Sequence, residues 1–525
     1  MSSTKRKRTS AVVFFNILLL GLAFESAATR DELVVNTKSG RVRGLRYYPP
    51  TGKGKVVDAF LGIPFAKPPI GQLRFKHAQP LDPWEGTYNA TTLPNSCYQI
   101  PDLNFGSDFR GSNMWNSPTR VSEDCLYLNV WVPRGSQPRT PPHRMAVMVW
   151  IYGGGFYSGT ITLDLYDGRI LATENNVIVV SMNYRLGAFG FLSLNHHSAP
   201  ANAALFDQLM ALDWVQENIR AFGGDPNNVT LFGESAGAAS VSLHLLSPLS
   251  RNKFHRAIMQ SGTANMPWVA LTMEEAKRRS LELAVEILGC PQSDDMEVVT
   301  ECLRNTLPQT LADFQYITSH AMQFPFLPVI DGTFLPDSPD ELLRRQEFKK
   351  CPILIGSNKN EGSFFIIYEL YQLLTLDSTK MNRQDFVDSM RIIFYYFPQY
   401  RQVMSPAALD AVMFQYTNWL DPDDSFQNAQ AIDGALGDSQ FICPLNHFAH
   451  TYATAGESVY MYYLTQRYAS NPWPDWMGVL HGDEIMYMFG EALKPGHNYS
   501  QADKDLSRKM MDYWTNFAKT GSALY

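Results

Sequence analysis

The chain has 525 residues, of which 45% are hydrophobic and 18% are charged, and its formal net charge is −7 at pH 7. This composition excludes a disordered or fibrous protein. The acidic balance argues against a nucleic-acid partner, because an acidic surface repels phosphates. The length exceeds that of most single domains, but α/β folds reach it by insertion.

The first 28 residues have the pattern of a secretory signal peptide. A basic region over 5–8 precedes an apolar core over 11–24 and the small residues 26–28. A membrane anchor is the alternative, but the apolar run contains Asn16 and is short for a span. We therefore expect a secreted or extracellular protein with 40 Lys and Arg against 50 Asp and Glu after cleavage. Association with a membrane surface or a synapse stays open, because this chain does not encode it, and so does the oligomeric state.

Six cysteines in an oxidising compartment predict disulfides. The expected pairs are Cys97 with Cys125 and Cys290 with Cys302. Cys351 and Cys443 remain, and nothing in the sequence indicates that they pair.

Three N-x-[ST] sequons predict N-glycosylation of a secreted surface, at Asn89, Asn228 and Asn498. Asn228 adjoins a predicted buried strand. It is therefore the poorest acceptor of the three.

In chain order, the N-terminal half predicts a hairpin, strands and one long helix. The hairpin covers 34–43, an edge strand covers 58–66, and a Pro-, Asn- and Gly-rich surface loop covers 80–120. Apolar runs then predict strands over 126–132, 146–152, 177–182 and 229–232, with helices over 205–222 and 236–246. This alternation indicates a parallel sheet with crossover helices.

The C-terminal half is predicted to be mostly helical. Its predicted helices cover 273–288, 309–314, much of 370–455, and 503–519, and its predicted strands cover 353–356 and 458–464. Because there is no repeat and no clear linker, we interpret residues 29–525 as one α/β domain with helical insertions. The central sheet is expected to be large and mostly parallel.

The sequence Gly233-Glu-Ser-Ala-Gly237 lies between a predicted strand and a predicted helix. This G-x-S-x-G elbow holds a serine nucleophile at a sharp turn. The amides at the N-terminus of the helix point towards Ser235, where negative charge would develop.

A serine nucleophile needs a base, and the base needs a carboxylate to orient it. In α/β-hydrolases the triad follows the order Ser, Asp or Glu, His. Glu361 fits the acid because it follows a short strand in a polar loop. His481 fits the base because it follows a strand and a loop between Gly478 and Gly482. A structural histidine is the alternative for His481.

A glycine-rich turn follows the strand over 146–152 and supplies candidate oxyanion donors. Gly154, Gly155 and the amide of Ala236 make a three-donor oxyanion hole. The turn lacks the Gly-Lys-Ser/Thr ending of a phosphate-binding loop. Phosphate binding is therefore the weaker alternative for this turn. We expect no cofactor and no metal.

These motifs identify a resemblance to the type-B carboxylesterase/lipase family, and within it to the cholinesterase branch, over about residues 32–521. It rests on Ser122-Glu-Asp-Cys-Leu-Tyr-Leu-Asn-Val130, Ile151-Tyr-Gly-Gly-Gly-Phe-Tyr157, Phe222-Gly-Gly-Asp-Pro226 and the elbow. The resemblance implies an α/β-hydrolase fold, the triad Ser235, Glu361 and His481, and hydrolysis of acetylcholine.

The resemblance also implies a choline site. Trp115 matches the tryptophan that holds the quaternary ammonium by cation–π attraction, and Glu234 would be a negative partner. Phe364 and Tyr157 would add aromatic walls, and Asp102 matches an acidic residue at the mouth of the site. Core packing is the alternative for Trp115, and a solvated surface position is the alternative for Asp102.

The acyl pocket and the rim depart from the family pattern. Trp268 and Phe324 resemble acyl-pocket walls, but Met322 stands where vertebrate members have a second phenylalanine. Met322 therefore predicts a pocket that accepts larger acyl groups. Ile100 and the region near Tyr316 replace aromatics of the rim.

The family continues for several tens of residues beyond Gly521, whereas this chain stops at Tyr525. The resemblance therefore implies that Cys443 lacks its usual disulfide partner. Two other functions stay open, a broad carboxylesterase without choline preference and a non-catalytic adhesion protein on the same fold. The intact triad argues against the second, and Trp115 with Glu234 argues against the first.

Overall fold

A computed structural model of the chain describes residues 33–49, 51, 55–134, 144–316, 324–369, 381–396 and 404–524. All of these belong to one unit, Glu32–Tyr525. The predicted signal peptide, Met322 and parts of the helical region predicted over 370–455 lie outside the described residues.

The strands of the described residues are β1 Leu33–Thr37, β2 Gly40–Tyr47, β3 Val56–Pro64, β4 Thr87–Asn89, β5 Ser96–Cys97, β6 Val121–Ser122, β7 Tyr127–Arg134, β8 Met145–Ile151, β9 Ile178–Met182, β10 Gly224–Glu234, β11 Arg256–Gln260, β12 Leu271–Thr272, β13 Val329–Ile330, β14 Ile353–Asn358 and β15 Val459–Leu464.

The α-helices are Arg110–Asn113, Arg169–Asn175, Gly187–Phe191, Ala203–Asn218, Ala236–Leu246, Met273–Leu281, Met296–Asn305, Pro308–Phe314, Pro339–Arg344, Ser363–Glu369, Arg383–Tyr396, Pro406–Tyr416, Ser425–Gly437, Cys443–Thr454, Glu484–Met488 and Gln501–Thr520. Turns of π-helix cover Glu282–Ile287 and Asp438–Ile442. No helix of the described residues has both the length and the apolar character to cross a bilayer.

The central sheet is mixed and has 11 strands in the order β1-β2-β3-β7-β9-β8-β10-β11-β14-β15, with β4 paired to β2. The pairs from β1 to β9 are antiparallel, and the pairs from β9 to β15 are parallel. Only the second half therefore has the predicted parallel character. In that half, the carboxyl ends of β10, β11, β14 and β15 lie side by side at one edge.

The strands at the centre of the sheet are buried on both faces. Every residue of β8, β9 and β14 is buried. This explains why they are continuous apolar runs in the sequence, because helices cover both faces of a parallel sheet. The helix Ala236–Leu246 is also buried throughout and packs against β10 and β11.

The predicted edge strand over 58–66 is wrong in position. β3 is the third strand of the sheet, between β2 and β7, because the hairpin β1–β2 covers its outer side. Asp58 in β3 is fully buried, and Arg46 and Arg134 of the two neighbouring strands neutralise it at 2.8 and 2.5 Å. A charged residue can therefore lie inside this sheet.

Three helices differ from their predicted bounds. The helix predicted over 273–288 changes to a π-helical turn after Leu281. The helix predicted over 205–222 ends at Asn218 in a turn of 3₁₀-helix. The last helix begins at Gln501 rather than 503, because Ser500 and Asp503 form a capping box.

Both expected disulfides are present, with Cα–Cα distances of 5.0 Å for Cys97–Cys125 and 5.8 Å for Cys290–Cys302. Cys351 is buried and free, and Cys443 is exposed and free. Among the sequons, Asn89 and Asn498 are exposed. Asn228 is half-buried, and its amide bonds to Arg256 and to the carbonyl of Lys519. A sugar on Asn228 would be attached at Nδ2, the atom that donates to Lys519 O.

A buried ion pair supports the glycine-rich turn after β8. Arg185 donates to Asp207 of the helix Ala203–Asn218 through Nε at 2.8 Å and Nη2 at 2.7 Å, and both side chains are almost fully buried. The neighbouring Tyr184 stacks on Tyr152 at 4.5 Å and donates to its carbonyl at 2.7 Å. The position of residues 152–155 therefore depends on this pair.

The ion pair gives the first prediction. Asp207→Ala should lower the free energy of unfolding by about 3–5 kcal/mol, because it leaves a buried guanidinium uncompensated. Scanning calorimetry of the variant checks this. Asp505→Ala is the matched control, because the Asp505–Arg508 pair is half-exposed and such pairs contribute about 0–1 kcal/mol. Equal losses in both variants would contradict the structural role of Asp207.

Candidate active site

The elbow places Ser235 between β10 and the helix Ala236–Leu246 in a strained backbone conformation, with φ 54° and ψ −124°. Two glycines permit the turn. A Cβ at Gly237 would lie 2.0 Å from the carbonyl oxygen of Ile151, and one at Gly233 would lie 2.6 Å from the same atom. Both distances are far below van der Waals contact. The elbow therefore requires glycine at both positions so that it can pack on β8.

The predicted triad residues all follow neighbouring parallel strands. Ser235 follows β10, Glu361 lies three residues after β14, and His481 lies in the loop after β15. An isolated bridge between Asn360 and Leu480 joins the last two segments. Side chains at this edge meet because the carboxyl ends of parallel strands lie together, which is where α/β sheets bind ligands.

Glu361 is 1% exposed, and three donors surround its carboxylate. Oε1 accepts hydrogen bonds from Asn358 N and Ser261 Oγ, each at 2.6 Å, and Oε2 lies 2.5 Å from His481 Nδ1. A carboxylate held in this way keeps the proton of the imidazole on Nδ1. Nε2 is then the basic nitrogen.

Nε2 of His481 is buried and makes no hydrogen bond to any described residue. It lies 3.2 Å from Oε1 of Glu234, the residue directly before Ser235. Nε2 therefore lies beside the elbow. Within the described part of the chain, Glu234 is the polar neighbour of this nitrogen, which forms no hydrogen bond.

Three buried carboxylates surround His481. Burial lowers the pKa of His481, but the negative charges of Glu234 and Glu361 raise it by more, and the net pKa lies above the usual value. Burial raises the pKa of Glu234, although His481 opposes this. Burial also raises the pKa of Glu484, which accepts from Asn358 Nδ2 at 2.5 Å and from Gln260 Nε2 at 3.1 Å. The acidic groups around His481 therefore favour a positive charge among them, either on the imidazole or on a bound ligand.

Asn360 fastens the loop of Glu361 to the loop of His481. Its Oδ1 accepts from Val479 N at 3.0 Å, and its Nδ2 donates to Asp433 at 2.7 Å. Its backbone N donates to Val479 O at 2.9 Å. A Cβ at Gly478 would lie 2.1 Å from Asn360 Oδ1, so this approach also requires glycine.

The glycine-rich turn lies against the elbow. Gly154 and Gly155 have φ of 111° and 59°, which favour glycine. A Cβ at the preceding Gly153 would lie 3.0 Å from Ser235 Cβ. Among the described residues, no backbone hydrogen bond uses the amides of Gly154, Gly155 or Ala236 as donors. All three amides therefore remain available near Ser235.

Trp115 lies beside Glu234 and the triad histidine. A Cβ at Gly482, the residue after His481, would lie 3.4 Å from Trp115 Cη2 and 3.6 Å from Glu234 Oε1. The indole and the carboxylate thus converge on one point next to His481. Trp115 is half-buried, so part of its surface is open.

The other predicted aromatic residues lie in two groups. Phe364 packs against Trp473 at 5.8 Å and Tyr368 at 5.0 Å. Tyr368 donates to Asp102 at 2.6 Å, so the half-buried Asp102 is bound to this group. Tyr157 lies in the second group, 5.5 Å from Phe324.

The predicted acyl-pocket walls are in contact with each other. Trp268 is buried and meets Phe324 edge-on at 5.6 Å and Phe441 at 5.9 Å. Phe441 in turn lies 4.7 Å from the His481 ring. This aromatic wall therefore reaches the triad, while Met322 lies outside the described residues.

Sequence reasoning missed several residues of the site, namely Ser261, Asn358, Asn360, Phe365, Phe441 and Glu484. The strand β11 was not predicted from the sequence. Had it been, the position of Ser261 directly after this strand would have placed it at the same end of the sheet as Ser235. Phe365 lies 5.1 Å from the His481 ring and adjoins the predicted Phe364. The helical position of Glu484 gave no local signal.

Comparison with known proteins gives the relationships of this chain. Residues 31–524 match the profile of the carboxylesterase family. An acetylcholinesterase from Electrophorus electricus is 44% identical over 98% of this chain and 84% of its own length. An acetylcholinesterase from Danio rerio has the same identity and coverage. One from Bungarus fasciatus is 46% identical over 94% of this chain and 79% of its own length. The chain therefore belongs to the carboxylesterase family.

Proposed function

We propose that this protein hydrolyses choline esters, with acetylcholine as the preferred substrate, through an acyl-enzyme on Ser235. The observation that carries the proposal is the convergence of Trp115 and Glu234 beside His481. An indole face and a carboxylate suit a quaternary ammonium, which has no hydrogen to donate. The similarity to three acetylcholinesterases supports the same substrate.

In the proposed reaction, Ser235 Oγ attacks the ester carbonyl and its proton passes to Nε2 of His481. The imidazolium then gives this proton to the oxygen of the departing choline. A water molecule repeats the sequence on the acyl-enzyme and releases the carboxylate. Glu361, which accepts from Nδ1, orients the ring and stabilises its charged form in both steps.

Binding groups surround the two ends of the substrate. Amides of Gly154, Gly155 and Ala236 donate to the oxyanion. Trp268 and Phe324 enclose the acyl group, with Met322 as a further proposed wall. Towards the mouth, Tyr157, Phe364 and Asp102 extend the aromatic and acidic lining.

We also propose that residues 1–28 are a cleaved signal peptide and that residues 29–525 form the catalytic domain outside the cell. The two disulfides and the exposed sequons Asn89 and Asn498 support this location.

Ser235→Ala should lower hydrolysis by about 10⁶-fold, as loss of a triad serine does in other hydrolases. It should also abolish labelling by an organophosphate. Mass spectrometry of the labelled protein measures the adduct. Ser261→Ala is the control, because it removes only a donor to Glu361 and should keep the adduct. An adduct on the Ser235→Ala variant would place the nucleophile elsewhere.

Trp115→Ala should lower kcat/KM for acetylcholine by about 10-fold or more, since a desolvated cation–π contact contributes roughly 1–2 kcal/mol. Its uncharged carbon isostere should lose far less. Steady-state kinetics on both esters measure the difference, and Trp419→Ala, at an exposed tryptophan, is the control. Equal losses on the two esters would favour a broad carboxylesterase.

Glu234→Gln should move the acid limb of the pH profile of kcat/KM to lower pH. The Glu234 carboxylate stabilises protonated His481, so its removal lowers the pKa of His481 and keeps the base neutral in more acidic solution. One nearby charge shifts a pKa by about 1–3 units. An uncharged ester should be the substrate, so that choline binding does not contribute.

The control for this profile is Glu491→Gln, because Glu491 contacts Lys494 and His497 instead of His481. Its profile should match that of the unaltered protein. An acid limb that stays in place or rises in Glu234→Gln would contradict the electrostatic role of Glu234.

A further inference from the structure

A surface cluster outside the candidate active site joins two adjacent histidines to a glutamate. His196 and His197 follow the helix Gly187–Phe191, and Glu297 lies in the first turn of the helix Met296–Asn305. One ligand atom from each of these residues lies within 4.8 Å of the other two. We propose that His196, His197 and Glu297 bind a divalent transition-metal ion, with Zn²⁺ as the best fit. No metal was expected from the sequence, and the approach of Glu297 to the two histidines is a long-range contact.

The turn that carries the histidines is held by its own backbone. Ala199 N donates to His196 O at 3.0 Å, and Leu194 N donates to Ala199 O at 3.1 Å. Asn195, between Leu194 and His196 in the chain, has a left-handed φ of 51°. The two imidazole rings consequently lie together, with centroids 4.0 Å apart. A preformed turn lowers the entropic cost of ligand binding.

Arg304 fixes the orientation of Glu297. This arginine is almost fully buried, and its Nη1 lies 3.1 Å from Glu297 Oε1. The other oxygen, Oε2, lies 3.8 Å from His196 Nδ1 and 3.7 Å from His197 Nε2. The Glu297 side chain is 46% exposed, so an ion can reach this carboxylate from solvent. A cation bound here would join the carboxylate and the two imidazole nitrogens at one centre.

The spacing and chemistry of these atoms favour zinc over calcium or magnesium. Zinc bonds of about 2.0–2.2 Å at tetrahedral angles place ligand atoms roughly 3.3 Å apart. The observed contacts to Oε2 need only a small contraction, and His197 is 79% exposed and has room to move. Calcium and magnesium prefer oxygen ligands, whereas imidazole suits zinc. Water would complete the coordination on the open side.

Metal binding has two local costs. His196 Nδ1 now contacts Ser198 Oγ at 2.7 Å, and this contact would be lost. Ser198 Oγ would keep its second partner, Thr300 Oγ1, at 3.0 Å. The positive charge of Arg304 also opposes a cation, but Glu301 lies 3.5 Å from Arg304 and offsets part of that charge.

A bound ion would tie the histidine turn to the helix Met296–Asn305. Because it binds only the folded chain at this site, zinc should raise the thermal midpoint in proportion to its occupancy. The described side-chain contacts of the three ligands are with one another, Ser198 and Arg304, and not with Ser235, Glu361 or His481. Ester hydrolysis without added metal should therefore be unaffected by their loss.

The test is isothermal titration of the full, metal-free protein with Zn²⁺, together with thermal unfolding in the presence and absence of Zn²⁺. We expect one equivalent to bind and the midpoint to rise. His197→Gln and Glu297→Gln should each weaken binding by at least about 10-fold, the low end of what loss of even an outer-shell partner costs. His197 is exposed, so its substitution leaves the fold intact. Titration with Co²⁺ should give the visible absorption of a tetrahedral site, and His197→Gln should lose it.

Two control variants separate this site from other histidines. His497→Gln removes another surface histidine near a glutamate and should leave zinc binding unchanged. His481→Gln removes the triad histidine and should also leave it unchanged. Loss of the zinc equivalent in His481→Gln, or undiminished binding in both His197→Gln and Glu297→Gln, would overturn the proposal. So would the absence of a zinc equivalent in the unaltered protein.

Discussion

The hydrogen bond between Glu361 and His481 is buried, and residues from several strands of the sheet offset the free-energy cost of burying the carboxylate. An isolated carboxylate cannot be buried cheaply, so it needs several donors. Asn358 N, Ser261 Oγ and His481 Nδ1 supply them at 2.5–2.6 Å. These groups come from β14, from the residue after β11 and from the loop after β15. The carboxylate is thus stabilised only when these adjacent strands are in their native order.

Close approach of the backbone is the second constraint. The elbow packs so tightly on β8 that Gly237 has no space for a Cβ beside Ile151, and a Cβ at Gly153 would lie 2.6 Å from Glu234 Oε2 and 3.0 Å from Ser235 Cβ. The strand that ends in the glycine-rich turn and the strand that ends in Ser235 are neighbours in register. Ser235 and the glycine-rich turn are therefore positioned by one strand pair, β8 and β10.

Electrostatics connect this arrangement to the substrate. Glu234, Glu361 and Glu484 place three acidic groups around one histidine in a buried site. Like charges at short range are unfavourable when water is excluded, and a cationic ligand or a protonated imidazole relieves the repulsion. The same feature that raises the pKa of His481 also favours a quaternary ammonium beside Trp115. Binding of the cation and titration of the base are consequently coupled.

Part of this molecule could be predicted from the sequence because its signals are local. The G-x-S-x-G motif between an apolar run and a helix predicted the elbow, and the helix over 236–246 has the bounds Ala236–Leu246. The buried strands β8, β9 and β14 were predicted from continuous apolar runs. The order of Ser235, Glu361 and His481 along the chain selected a triad whose acid and base are indeed in contact.

Other features depended on tertiary structure. β3 was predicted as an edge strand, because a single chain segment does not reveal which strands cover it or which arginines neutralise Asp58. Asn360, Glu484 and Phe441 had no local pattern, since each acts through a contact with a loop from another part of the chain. The same holds for the approach of Glu297 to His196 and His197. Local patterns and chain order predicted Ser235, Glu361, His481, several buried strands and most helices. Long-range packing decided which further polar groups join Glu361 and His481 in the buried site, because those contacts leave no trace in any one segment.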